Sequence, residues 1–545
     1  MYRRKPNYSL FIIVVAAIVI TDVIVAYFYL KGTFSDTTSP LASAKIVPNQ
    51  ALMAGMISTD PEAWSQLAKF GTPEARNAIA KRLKDVNKQM LAESKIDYAK
   101  DIQPWIGNIM FAVMPSEAGT FSQKTNLLLV VSIKDKISAV NFANKMKGQV
   151  KAKETDYKGI KILETGKNSQ IFSAVLDNHV VFAQARKPVE LAIDTFKGQP
   201  SFAGKKDARS LLGKSIGIQN PIAQIYIPEY SNTIQKLMAL NPNYSPLNPQ
   251  NLAQLKQVKS LVMAFGIDNS GFRMKALGEL EESRVKIPYK ASPGKIVAQF
   301  PKETIVLISG YGISNAWSVF VEETKNNSQL QQQLDQTRQQ FKSTYNFDID
   351  KDIFGWMDGE FALGAISSNQ GVLAPIGFGG ALVIKTSDRK TASATLAKLD
   401  NLAKSNSATI SERNVQGKTI TQWTLPNQQV WIGHGWLDEE SVFVAIGNPI
   451  IDMMAKNTNS LANKPSFISA TNSLEKPNAG YFYLDMQQTM SLVNRYLSPA
   501  QKEAISPEAN AIINSVSSIA ITGIQPNSST SQIEMLLALK PKSKK

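Results

Sequence analysis

The densest chemistry in the sequence lies in Asp348-Ile349-Asp350-Lys351-Asp352. Its carboxylates fall at positions 1, 3 and 5, the spacing that begins a calcium loop. Such a loop also needs Gly at position 6 and a bidentate Glu at position 12, where this chain has Ile353 and Gly359. A related stretch keeps Asp97 and Asp101 but has Ala99 between them. The expectation is a capped turn, with Asp accepting backbone N–H groups at a helix start. No metal is assigned.

Other combinations give less. Cysteine is absent, which excludes thiol catalysis, disulfide frameworks, iron–sulfur clusters and thiolate zinc sites. The only histidines are His179 and His434, with Asp177 and Asp438 as acidic neighbours. Without a placed nucleophile they read as turn residues. Ser-x-x-Lys occurs at Ser292/Lys295, Ser387/Lys390 and Ser473/Lys476, three unrelated places that read as chance. Gly417-Lys418-Thr419 lacks the upstream glycine of a phosphate loop. No catalytic, cofactor-binding or metal-ligating residue follows from the sequence, and no cofactor.

The elements around these residues repeat. Asp101 with Trp105 returns as Asp352 with Trp356, 251 residues later. Ala63-Trp64-Ser65 returns as Ala316-Trp317-Ser318, and Asp135 as Asp388, both at 253. One order at nearly one offset indicates an internal duplication. Trp105 and Trp356 are expected to be core anchors rather than a ligand platform.

Within each repeat the pattern is α+β. Tyr157-Lys158-Gly159-Ile160 and Val415-Gln416-Gly417-Lys418 read as hairpin turns. Strands are expected near 51–57, 109–114, 127–133, 172–176, 180–183, 260–267 and 272–280, with helices over 73–91 and 136–147. Counterparts fall at 305–309, 361–366, 381–385, 430–432, 442–446, 517–522 and 532–539, with helices over 390–402 and 486–496. The helix over 329–341 is rich in Gln and sets Leu330, Leu334 and Phe341 on one side, either a core stripe or a partner surface. No regular βαβ alternation appears.

Residues 10–30 form an almost wholly apolar run of 21, interrupted by Asp22. As a helix it spans roughly 31 Å, enough for the hydrocarbon core. Arg3, Arg4 and Lys5 precede it and keep the N-terminus cytoplasmic by the positive-inside rule. Cleavage after Ala42-Ser43-Ala44 is the weaker alternative, because that site lies well beyond the run. The expected organisation is a basic N-terminus (1–9), a transmembrane anchor (10–30), a flexible tether (31–48), a first α+β unit (49–283), a linker (284–300), a second unit (301–540) and a basic tail (541–545). The fold class is thus an N-terminal transmembrane helix followed by two homologous antiparallel-sheet-plus-helix units.

Sixty Lys and Arg against 44 Asp and Glu leave a net charge of +16. Such a surface attracts anionic membranes, acidic polymers or acidic proteins, or simply aids solubility. No recognition motif accompanies the charge, so nucleic acid is not an expected partner.

The anchor, the repeated Asp-Ile-x-x-Trp and the hairpin Tyr157-x-Gly159-x-x-Ile162 resemble an uncharacterised cyanobacterial family of single-pass membrane-anchored proteins bearing a domain of unknown function. The resemblance covers nearly all of the chain. It implies a membrane protein with its bulk in the periplasm or thylakoid lumen, and brings no catalytic residues. The expected function is a non-catalytic, membrane-anchored interaction or scaffold protein, with membrane proteins or anionic envelope components as partners. The alternatives are a lipid- or amphiphile-binding protein and an envelope hydrolase with an unrecognised site.

Overall fold

The computed structural model describes residues 39–542, except 78–96, 116–126, 147–151, 166–169, 206–207, 214–215, 219–220, 240–246, 248, 282–288, 326, 427–428 and 457. Among the described residues the fold class is a large antiparallel sheet of twenty strands with helices. This corrects the expected transmembrane helix followed by two sheet-plus-helix units. Hydrophobic periodicity marks strands, but it does not say which strands share a ladder.

The single-pass anchor is corrected with it, and so are the membrane insertion and the periplasmic or lumenal placement derived from it. Among the described residues no helix is long and apolar enough to cross a membrane. The longest described helix, Ser328–Tyr345, is 18 residues of mostly Gln, Ser, Thr and charged side chains, which hydrocarbon would not accept. Residues 1–9 and 10–30 lie outside the described residues, as does most of the helix expected over 73–91.

The chain forms two compact units, one mainly before residue 284 and the other mainly from 284 onward. The first holds β1 (Met53–Ile57), β2 (Ile106–Val113), β3 (Leu127–Ile133), β4 (Lys153–Tyr157), β5 (Ile160–Thr165), β6 (Ile171–Leu176), β7 (His179–Ala183), β8 (Ala223–Ile227), β9 (Val258–Ile267) and β10 (Gly271–Leu280). They run side by side in the order β4-β5-β6-β7-β3-β2-β1-β8-β9-β10.

The second unit holds β11 (Thr304–Tyr311), β12 (Glu360–Ser367), β13 (Phe378–Lys385), β14 (Thr409–Val415), β15 (Lys418–Thr424), β16 (Val430–Trp436), β17 (Ser441–Ile446), β18 (Phe482–Asp485), β19 (Val516–Asn527) and β20 (Thr530–Leu539). Their order is β14-β15-β16-β17-β13-β12-β11-β18-β19-β20, the same path strand for strand.

Local chemistry explains the hairpins. Lys158 and Gly159 have φ of 54° and 76°, and Gln416 and Gly417 have 52° and 83°. Two positive-φ residues between paired strands make the tight turn whose twist matches the ladder. A Cβ on Gly417 would meet nothing within 4 Å, so Gly417→Ala is expected to cost only the left-handed backbone penalty, about 1 kcal/mol. A urea midpoint lowered by that much checks it; no change would mean the turn relaxes.

Residues 39–48, read from sequence as part of a flexible tether, are instead packed. Ser39 caps the helix Pro40–Ala44, and Ala44, Ile46 and Val47 enter the first core with Met110, Leu128 and Phe202. The linker span also carries core residues. Ile296, Val297 and Phe300 join Leu307, Phe443 and Tyr483 in the second. Buried Glu360 accepts from the Ser292 hydroxyl at 2.7 Å and the Gly294 amide at 2.6 Å.

Candidate functional site

The acidic stretch is a capped turn in both units. Asp348 Oδ1 accepts the amides of Asp350 and Lys351, each at 3.1 Å. Asp352 Oδ2 accepts the Asp348 amide at 3.0 Å and Lys398 at 2.6 Å. Trp356 Nε1 donates to the Asp352 carbonyl at 2.9 Å. The first unit repeats this: Asp97 Oδ1 caps Lys100, Asp101 Oδ2 takes the Asp97 amide and Lys145, and Trp105 Nε1 donates to the Asp101 carbonyl at 2.9 Å. Asp350, where the first unit has Ala99, accepts Trp317 Nε1 at 2.7 Å and Arg338 Nη2 at 3.0 Å, and forms an ion pair with that guanidinium. The three carboxylates of the second turn thus serve separate protein donors.

The remaining sequence candidates disperse. His179 Nε2 lies 3.3 Å from Ser43 Oγ in the interior. His434 meets Asp400 at 2.8 Å, not its sequence neighbour Asp438, and Trp423 Nε1 donates to the same oxygen at 2.6 Å. Asp438 instead caps the turn at Glu440 and Ser441. Ser292 is bonded to Glu360 and Ser387 to Asp358, in neither case to the lysine of the motif. Lys418 Nζ donates to the Ala455 carbonyl at 2.8 Å.

One buried polar cluster had no sequence signal. Asp485, 3% exposed, caps the helix Met486–Tyr496 through the Gln488 amide at 2.9 Å. It also accepts Lys464 at 2.8 Å, Ser466 at 2.9 Å and Tyr483 at 3.2 Å. Burial pushes its carboxyl up, but the Gln488 amide, Lys464 and Ser466 together hold it below the usual carboxylate range. Asp352 behaves alike: burial raises it, and Lys398 and the Asp348 amide outweigh that. Both groups bind protons less readily folded than unfolded. Their stabilisation is therefore complete above the ordinary carboxylate range and is lost as pH falls from about 4 through the depressed values. Urea midpoints are expected to be flat from about pH 7 to 5 and to drop below about pH 4, less steeply in Asp485→Asn. A midpoint insensitive to acid would contradict this.

The distinctive surface is the second face of the second unit's sheet. Alternation puts Leu307, Ala362, Ala381, Phe443, Tyr483, Ala520 and Leu536 in the core. The opposite face should be polar if it met water. It is apolar instead. Register aligns Val444, Leu382, Leu363, Ile308, Phe482, Ile521 and Met535 in one row across seven strands. Six steps at about 4.8 Å make the row roughly 29 Å long. Beside it runs Gly380, Ala365, Val306, Leu484, Ile519 and Leu537. Neither row contains a charge.

The helix Arg389–Ser405 covers the strand ends near Trp356, Ile384 and Val442 with Ala392 and Leu396. Leu363 and Ile308, at the middle of the first row, remain 50% and 46% exposed, and Ile446 on the same face 45%. At the positions of the first unit that correspond to Leu363 and Ile308, Phe111 is half-buried and Gly55 buried, and beside them Leu129 and Phe182 are 2% and 0% exposed and pack with Phe142 of the helix Lys136–Met146.

A cleft of about 440 Å³ lies at one end of this face, lined by Ser367, Asn369, Gly377, Gln488, Ser491, Leu492 and Arg495. Arg495 Nη1 donates to Asn369 Oδ1 at 2.8 Å and Nη2 to the Ala374 carbonyl. Gly377 makes room for it, since a Cβ there would sit 2.8 Å from Nη1.

The sequence profile of a family described as "Protein of unknown function (DUF3352)" matches residues 11–539. The chain belongs to the DUF3352 family. No curated protein matches it. Among solved structures, crystal forms III and IV of TP0453 are 11% identical, with a TM-score of 0.26, covering 45% and 44% of this chain and 82% and 80% of their own. Crystal form I is 11% identical, with a TM-score of 0.24, covering 45% and 81%. The DUF3352 match brings no activity with it.

Proposed function

We propose that this DUF3352 chain is a non-catalytic binding protein that takes up an amphiphile, with the apolar part of the ligand on the second face of the β11–β20 sheet. The observation that supports it is the uncharged row through Leu363 and Ile308. An antiparallel sheet that is apolar on both faces needs a cover for each, and exposed contiguous apolar surface marks a binding site. Gly380 and Ala365, the two small residues of the second row, leave a shallow trough beside Leu363.

An amphiphile suits the site better than an apolar protein partner because the trough ends at a polar cleft holding Arg495. An apolar tail and a polar end are thus both provided for. A net charge of +16 favours anionic molecules among such ligands. The cyanobacterial source implied by the sequence resemblance belongs to the same proposal and rests on that resemblance alone.

Titrating the full-length protein with dioctanoyl-phosphatidylcholine below its micelle concentration, followed by tryptophan fluorescence, tests the reading. Saturable binding is expected. An unsaturable or absent response would contradict it.

A further inference from the structure

We infer that the cleft around Arg495 receives the phosphate-bearing headgroup of an anionic phospholipid, whose acyl chains lie along the Leu363 and Ile308 face. This rests on the amphiphile-binding reading above and names its ligand class.

Continuity comes first. Leu363, Ala365 and Ser367 alternate along β12 and so point to one face. Leu363 and Ala365 are trough residues, and Ser367 lines the cleft. A single strand thus leads from apolar surface to polar cavity. Leu492, on the helix Met486–Tyr496, gives the cleft an apolar wall.

Charge comes second. Arg495 spends two of its five N–H donors on neutral oxygens, those of Asn369 and Ala374. Among the described residues it makes no ion pair. Its guanidinium is therefore aimed and braced, but its charge is not compensated. Such a group is suited to a phosphate, which accepts charge-assisted hydrogen bonds from arginine.

Size decides between headgroups. A cleft of about 440 Å³ is larger than a lone carboxylate requires, and Ser367, Asn369, Gln488 and Ser491 add hydroxyl and amide groups to it. A phosphate carrying a hydroxylated substituent uses both the guanidinium and these neutral groups. A fatty acid would leave most of them without a ligand partner.

The test compares dioctanoyl-phosphatidylglycerol, dioctanoyl-phosphatidylcholine and glycerol phosphate on the full-length protein, on Arg495→Gln and on Ser491→Asp. The wild type should prefer the anionic lipid by about tenfold or more. Arg495→Gln should lose that preference, with phosphatidylglycerol weakened more than phosphatidylcholine, whose choline already balances the same phosphate. Ser491→Asp removes none of Arg495's present partners and sets a carboxylate four residues before it on the same helix, where it offsets the guanidinium and repels an anion, so it should weaken phosphatidylglycerol more than phosphatidylcholine, even if Arg495→Gln fails to fold. Equal binding of both lipids, with a ratio that neither variant moves, overturns the headgroup site and leaves amphiphile binding standing. Glycerol phosphate binding as tightly as the lipid overturns the lipid as ligand. Failure of both lipids to bind removes the amphiphile-binding reading itself.

Discussion

Trp356→Ala is expected to lower the unfolding free energy by about 3–5 kcal/mol, the range for deleting a buried aromatic side chain. Trp356 is 5% exposed and packs on Ile384, Ala392, Leu396 and Val442. Removing the indole leaves a cavity between β13, β17 and the helix Arg389–Ser405. It also takes away one of two side-chain donors to the Asp352 carbonyl, at 2.9 Å, and leaves the Thr395 hydroxyl as the other. That carbonyl belongs to the capped turn leading into β12, so the loss spreads from packing to backbone.

Trp356→Phe separates the two effects. It keeps most of the apolar volume and loses the N–H, and should cost about 1–2 kcal/mol. Trp105→Ala should resemble Trp356→Ala, because Trp105 is 2% exposed, stacks on Phe142 with ring centroids 5.7 Å apart, and makes the same bond to the Asp101 carbonyl. Urea denaturation of each variant, with separate slopes fitted for any resolved transitions, reads these costs. A loss below about 1 kcal/mol for either alanine variant would show that the indole is not the anchor of its unit.

Leu363→Glu is expected to have the opposite profile: little change in stability and a large loss of binding. Leu363 is 50% exposed, so a glutamate there can keep its carboxylate in water. Substitutions at such surface positions usually stay within about 0.5 kcal/mol. Under a bound acyl chain the same carboxylate would be desolvated without a partner, which is strongly unfavourable. Its cross-strand neighbours Ile308 and Leu382 are apolar and offer no compensation. Affinity for an amphiphile should fall at least tenfold, or about 1.4 kcal/mol. Ile308→Glu tests the next position in the same row and should act alike.

Much of the local structure was legible in the sequence, for identifiable reasons. Gly159 and Gly417 announced hairpins because a positive φ is a local requirement, and β4–β5 and β14–β15 turn at those residues. Asp97 and Asp348 announced caps because an Asp before a helical turn answers its free amides. The run over 127–133 coincides with β3 because seven apolar or small residues in succession leave a buried strand little alternative.

What remained hidden depends on distance along the chain or on which face is covered. Asp400 reaches His434 from a helix 34 residues earlier, so the sequence pointed to nearby Asp438 instead. Arg495 meets Asn369 across 126 residues. In Leu382-Val383-Ile384 every residue is apolar, so the spelling could not reveal that Val383 is core while Leu382 belongs to a face left partly open. Residues 39–48 looked like a tether because Ser, Thr and Ala are common in linkers, yet Ala44 is fully buried because a small side chain fits close to the sheet. The apolar run over 10–30 suggested a membrane span by length and composition alone, and no described helix takes that role.

The most direct test of amphiphile binding by the second sheet face is a paired titration of full-length wild type and Leu363→Glu with dioctanoyl-phosphatidylcholine. Both proteins share every other segment, so lipid association elsewhere in the chain does not distinguish them. Saturable binding by the wild type, weakened at least about tenfold in Leu363→Glu at unchanged urea midpoint, is the predicted result. Equal affinity in the two proteins, or no saturable binding by the wild type, would contradict it.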